Sequence, residues 1–139
     1  MTEDFEKFKI KTYGFWDLYL HINQSPYLGR AYAWARRENA DHLSDMNKEE
    51  RDELFEKVFP AWETAVKSLF QHDRSNLAIL GNEAPHLHAH FIPRYSTPRI
   101  YKGIEFADPN PKGNYAPYEK KKLDLELLLE IKDKLKERI

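Results

Sequence analysis

Cysteine is absent from the 139 residues, so neither a disulfide framework nor a thiolate metal centre is available to this chain. Glycine is scarce, at five residues, and none falls into a Walker loop, a Rossmann fingerprint or a Gly-x-Ser-x-Gly elbow. A bound phosphate would have to be held without those devices. An excess of either charge is missing too: 22 Lys and Arg against 23 Asp and Glu leave a formal net charge of −1, with the basic residues spread along the chain. That argues against binding to a nucleic acid polymer and favours a small ligand. No apolar run approaches the ~20 residues of a membrane span. Met1-Thr2-Glu3-Asp4-Phe5-Glu6 also lacks the basic and apolar regions of a secretory signal, which makes cytoplasmic the expected compartment. Internal repeats and low-complexity tracts are absent, and the length is that of one domain, residues 1–139.

Histidine is where the pattern is dense. Three of the six recur at every second residue in His86-Leu87-His88-Ala89-His90-Phe91-Ile92-Pro93-Arg94. Successive side chains of a strand point to opposite faces, so His86, His88 and His90 share one face while Leu87, Ala89 and Phe91 share the other. One histidine on a strand is usually structural. Three in register repel one another when protonated, and an arrangement that tolerates this points to a site.

This run resembles the signature of the histidine triad family of nucleotide hydrolases and transferases, histidine-apolar-histidine-apolar-histidine followed by two apolar residues. The likeness extends upstream in weaker form through Asn23 to Arg30, the strand to Arg37, Asp41-His42-Leu43-Ser44-Asp45-Met46 and Glu49-Glu50, covering roughly residues 15 to 94. Two departures touch the nucleotide pocket. Asn39 stands where many members carry a histidine, and the loop before the triad is shortened to Gly81-Asn82-Glu83-Ala84-Pro85.

A neutral imidazole can displace a leaving group at phosphorus to give a phosphoramidate that water later opens. The resemblance implies that His88 is this nucleophile at an α-phosphate, that His90 is the acid or charge stabiliser, and that His86 orients or polarises His88. Phosphoryl transfer also needs donors for the equatorial oxygens. Asn82, at the turn before the triad, is the first candidate for that task, with Arg30 and Arg94 behind it; for Arg94 a solvated strand end is the simpler reading. Gly81 suits a positive φ in the same turn. The family pattern adds Asn23 as a contact to base or ribose. Phosphoramidates and dinucleoside polyphosphates are both compatible substrates, and a homodimer is implied. No cofactor is required for such chemistry, though a divalent cation could accompany a polyphosphate.

Two other classes stay open. Zinc accepts histidines two apart on a strand, but at ~3.3 Å per residue His86 and His90 have Cα atoms about 13 Å apart, too far for all three rings to meet one ion. A two-histidine site completed by Glu83, His21 or His42 remains a metal alternative. A nucleotide-binding protein without turnover is the other.

Local periodicity gives the fold class, α+β, with an antiparallel sheet, one long helix with room for a kink and a C-terminal helix. Trp16, Leu18, Leu20 and Ile22 alternate with polar or aromatic neighbours from Phe15, predicting a strand with its even side on the core. His21 then faces away from the core, and as a lone histidine it is read as structural and outside the site. Gly29 to Arg37 reads as a second strand, joined to the first by a turn through Asn23-Gln24-Ser25-Pro26. Asn47 and Glu50 form a capping pair for a helix toward Gln71, with an apolar stripe of Phe55, Val58, Phe59, Trp62, Val66, Leu69 and Phe70 and a kink expected near Phe59 from Pro60. Leu77 to Leu80 is expected as a short strand. Residues 96–117 read as an irregular segment, a lid or a partner-contacting arm near the active face from which Lys112 and Tyr115 could reach a substrate, and 118–139 as the closing helix.

Overall fold

The computed structural model describes residues 3–139, so Met1 and Thr2 of the N-terminal stretch lie outside the described residues. After a 3-10 turn at Glu3–Phe8 come β1 (Lys9–Thr12), β2 (Trp16–Leu20) and β3 (Ala31–Ala35). The helical region follows as α1 (Lys48–Glu53), a π-helical turn (Leu54–Val58) and α2 (Phe59–Phe70). Strands β4 (Arg74–Ala78) and β5 (His88–Arg94), a hairpin of β6 (Arg99–Tyr101) and β7 (Ile104–Phe106), and α3 (Leu125–Arg138) complete the chain. The first five strands make one antiparallel sheet in the order β1-β2-β3-β5-β4. No described helix is long and apolar enough to cross a membrane.

Alternation along each strand gives the sheet two unlike faces. Trp16, Leu18 and Leu20 of β2, Ala31, Ala33 and Ala35 of β3, and Ala89 and Phe91 of β5 are buried in one apolar core. Phe59 and Trp62 of α2 lay their rings on Phe91, with centroids 5.2 and 5.3 Å away, and Trp62 Nε1 donates to the Gly29 carbonyl at 2.8 Å. The alanines of β3 let that helix approach closely. On the opposite face the pairs Asp17↔Trp34, Tyr19↔Tyr32, Trp34↔His88 and Tyr32↔His90 place polar and aromatic side chains together. The even side of β2 meets the core as expected as far as Leu20; Ile22, beyond the strand end, is exposed.

The helical region shows how the chain accommodates Pro60. The capping pair forms in both directions, Asn47 Oδ1 accepting from the Glu50 amide and Glu50 Oε1 from the Asn47 amide, each at 2.9 Å. Pro60 has no amide to donate and its ring crowds the preceding turn. Next to the expected kink or break lies a π-helical turn, Leu54–Val58, where the Phe59 amide reaches back to the Leu54 carbonyl. The wider turn changes the phase of the stripe, and Phe55 is consequently exposed and not in the core.

Three boundaries differ from the sequence reading. The fourth strand is Arg74–Ala78 and not Leu77–Leu80, because its register with β5 runs from Arg74↔Arg94 to Ala78↔His90 and leaves Leu80 in the following loop. The segment 96–117 contains the β6–β7 hairpin and is irregular only after it. The last helix begins at Leu125, and Tyr118–Asp124 precede it outside any helix.

Candidate functional site

His88, the central ring of the triad, is held by a short hydrogen bond. Its Nδ1 lies 2.6 Å from the backbone carbonyl of His86. A carbonyl only accepts, so Nδ1 carries the proton of the neutral ring and Nε2 keeps its lone pair. The ring is largely buried, with a centroid 5.3 Å from Trp34 and 4.9 Å from His90.

His90 and His88 line one pocket of about 450 Å³ together with His21, Asn23, Arg30 and Asn82. Burial first, then the positive charge of Arg30 and the neighbouring His88 ring, lower the His90 pKa to about 4. Its Nδ1 is buried without a hydrogen-bond partner among the described residues. Near pH 7 this ring is therefore neutral, and the fixed positive charge on this wall is that of Arg30.

His86 stands apart from its two neighbours. It lies in a bend two residues before β5, stacks on Trp34 with centroids 4.2 Å apart and planes at 16°, and donates Nε2–H to the Ala35 carbonyl at 2.6 Å. It borders a neighbouring hollow with Asp41, His42 and Leu43 and does not line the pocket of His88. Shared parity along the strand was therefore insufficient to bring all three rings to one cavity.

His21, set aside in the sequence reading, does line the pocket. It points away from the core as expected, but the face away from the core is the one that carries the triad. Its centroid is 5.7 Å from His90. The Asn23 amide donates to its Nδ1 at 3.0 Å, which leaves the proton of the neutral ring on Nε2. Burial, followed by Arg30, His90, Lys120 and His88, holds its pKa well below the ordinary histidine value. Comparing parities across β2 and β5 before assigning faces would have found it.

The loop joining β2 to β3 is held by Gln24, which sequence reasoning passed over as a turn residue. Fully buried, it donates Nε2–H to the carbonyls of His21 and Arg30, each at 2.7 Å, and accepts from the Gly29 amide at 2.7 Å. Arg30 follows on the same face as Tyr32 and Trp34 and is only 3% exposed. Its Nη1 donates to Tyr118 Oη at 2.6 Å, while its Nε is buried without a partner and no carboxylate pairs with it among the described residues. Gly81 has a φ of 73°, as the turn reading required, and Asn82 beside it borders both hollows.

Arg94 answers to neither of its readings. It is buried, with Nε and Nη2 on Asp108 at 2.7 and 3.1 Å, and it reaches the carbonyls of Asn110 and Gly113 at 2.7 and 2.8 Å. Its task is to fasten the segment after the hairpin. Of the two arm residues thought able to reach a substrate, Tyr115 lines the pocket and Lys112 does not. Among the described residues, no three His, Asp or Glu side chains come together so as to hold a metal ion.

The family model for the HIT domain matches residues 34–97. A histidine triad protein from Marinobacter aquaeolei has the same fold, with a TM-score of 0.75 at 21% identity over 99% of this chain and 93% of that one. Another from Sinorhizobium meliloti gives 0.73 at 18% over 100% and 96%. A hypothetical histidine triad nucleotide-binding protein from Sulfolobus tokodaii gives 0.64 at 18% over 94% and 82%. No curated protein matches the chain. The domain match and the shared fold bear out the resemblance to the histidine triad family and the α+β class read from the sequence.

Proposed function

We propose that the chain binds nucleotides and acts as a hydrolase or nucleotidyl transferase at an α-phosphate, through a covalent nucleotidyl-histidine. One observation carries this reading. The His86 carbonyl fixes the tautomer of the neutral His88 ring, in which Nε2 carries the lone pair, and that ring lines a pocket. In the first step the Nε2 lone pair forms an N–P bond as the bond from phosphorus to the leaving group breaks, and the leaving group departs with that electron pair and takes up a proton. Water then adds to phosphorus, the N–P electrons return to Nε2, and nucleotide and a proton are released.

The supporting residues follow from the geometry. Arg30 offsets phosphate charge from a buried position where Coulombic interactions are weakly screened. His90, neutral beside Arg30, gains a proton when an anionic phosphate reverses the local field, and then serves as acid. His86 is a positioning residue, holding its own carbonyl against His88 through Trp34 and Ala35. Asn82 and Asn23 complete the contacts to phosphate and nucleoside. No resident cofactor enters this scheme, and a divalent cation is compatible with a polyphosphate substrate. The homodimer implied by the family is part of the same proposal, and the solution mass by light scattering checks it.

The test is incubation of the chain and of His88→Ala with an adenosine phosphoramidate and with diadenosine tetraphosphate, with and without chelator, followed by intact-protein mass. An acid-labile nucleotide adduct and released nucleotide with the parent chain, and neither with His88→Ala, support the reading. Binding without turnover would make the chain a nucleotide-binding protein only, and activity lost to chelator without any adduct would point to the metal alternative.

A further inference from the structure

Part of the pocket lining comes from a segment far from the triad in sequence. Tyr115, Pro117, Tyr118 and Lys120 supply it. This strap is fastened at both ends: the Tyr27 hydroxyl donates to the Tyr115 carbonyl, and Lys121 forms an antiparallel bridge with Ser25. Upstream, Arg94 clasps Asp108 and the carbonyls of Asn110 and Gly113.

The strap encloses the Arg30 guanidinium, whose carbon lies 5.5 Å from the ring centroids of both Tyr115 and Tyr118. Cation–π contact and one hydroxyl acceptor hold a guanidinium in place without neutralising it. Tyr118 Oη accepts from Arg30, so its own proton remains to be given elsewhere. Lys120 adds a second cation to the same lining, and it has no ion-pair partner among the described residues. Among the described residues, the only carboxylate lining the pocket is that of Glu83, in the loop before the triad. A buried cation lacking a counter-charge is costly unless a ligand supplies one.

Resting on the proposed nucleotidyl-histidine chemistry, we propose that the strap makes Arg30, Tyr118 and Lys120 a subsite for a second anionic group, beyond the phosphorus that His88 attacks. The substrates favoured are those whose leaving group is itself a phosphate or polyphosphate, over those that release a neutral amine. Lys120 and Tyr118 are then specificity-determining residues supplied by a part of the chain outside the triad and outside the matched domain, residues 34–97.

The experiment compares diadenosine tetraphosphate with an adenosine phosphoramidate that releases a neutral amine, using the parent chain, Lys120→Ala, Lys120→Arg and Tyr118→Phe. Alongside, calorimetry follows titration with inorganic pyrophosphate and with orthophosphate. Removing one charge-assisted contact typically weakens binding about ten- to a hundredfold. Lys120→Ala should lower the polyphosphate-to-phosphoramidate ratio of kcat/KM by about that factor, chiefly through KM, with Lys120→Arg restoring most of it. Tyr118→Phe, which keeps the ring over Arg30, should move the ratio the same way by less. The parent chain should bind pyrophosphate more tightly than orthophosphate, and Lys120→Ala should narrow that gap. An equal loss on both substrates, or an unchanged ratio and gap, overturns the subsite while leaving the His88 chemistry intact. If the parent chain turns over neither substrate, the reaction reading fails, and the pyrophosphate titration still decides the strap.

Discussion

Asp108 receives two hydrogen bonds from Arg94, at 2.7 and 3.1 Å, with both side chains nearly shut off from solvent. Breaking a buried pair strands the remaining charge, which typically costs about 3–5 kcal/mol. Asp108→Ala should therefore lower the unfolding free energy by roughly that amount in urea titration. A loss below about 1 kcal/mol, the range of exposed pairs, would show that the clasp is not holding the segment.

Gly29 has a φ of 99°, and an added Cβ would meet Val66 at 3.1 and 3.2 Å and Phe70 at 3.3 Å. Gly103 has a φ of 78° with nothing within 4 Å. Both alanine variants carry the left-handed backbone cost of about 1–2 kcal/mol, and Gly29→Ala adds overpacking of about 1–3 kcal/mol. Thermal unfolding should place Gly29→Ala well below Gly103→Ala, and equal midpoints would contradict the close approach of α2 to this turn.

Acid should unfold the chain through its buried rings. His90, lowered to about 4, and His21 and His72, also lowered mainly by burial, accept protons more readily once unfolded. Protons bound by the unfolded state but not the folded one make stability fall as pH falls, beginning at the ordinary histidine value of about 6.5. For His90 the loss accrues between about 6.5 and 4, at about 1.4 kcal/mol per pH unit, and levels off below. Replacing His90 by Asn should flatten that slope in denaturant titrations at stepped pH. A slope unchanged by the substitution would mean that this ring is not held neutral.

His86 stacks on Trp34 and reaches Ala35, yet lies outside the pocket of His88. His86→Ala keeps the backbone carbonyl but frees it to shift, and misplacement on that scale costs up to about a hundredfold in rate. The expected result is a kcat lowered about ten- to a hundredfold with KM nearly unchanged and the His88 adduct still forming. A change confined to KM would make His86 a substrate contact.

What the sequence made legible was whatever depended on local period. The core side of β2, the capping pair of Asn47 and Glu50 and the turn at Gly81 all followed from side-chain alternation, capping chemistry or a permissive backbone. What it concealed depended on pairing between distant segments. His21 could be assigned to a face but not to the site until β3 placed that face beside β5. Phe55 left the stripe because the π-helical turn shifted the phase, and Arg94 met its carboxylate only through the return of the chain after the hairpin. Gln24 resembled any turn residue, since its three backbone partners become neighbours only after the β2–β3 loop closes.

The cavity around His88 is assembled from three stretches of chain, and the recognisable motif supplies only one of them. On the proposed reading, attack chemistry and substrate choice reside in separable portions of the polypeptide. Exchange of the Tyr115–Lys120 strap should then redirect selectivity while His88 stays untouched, so that two chains identical through their histidines need not share a metabolite.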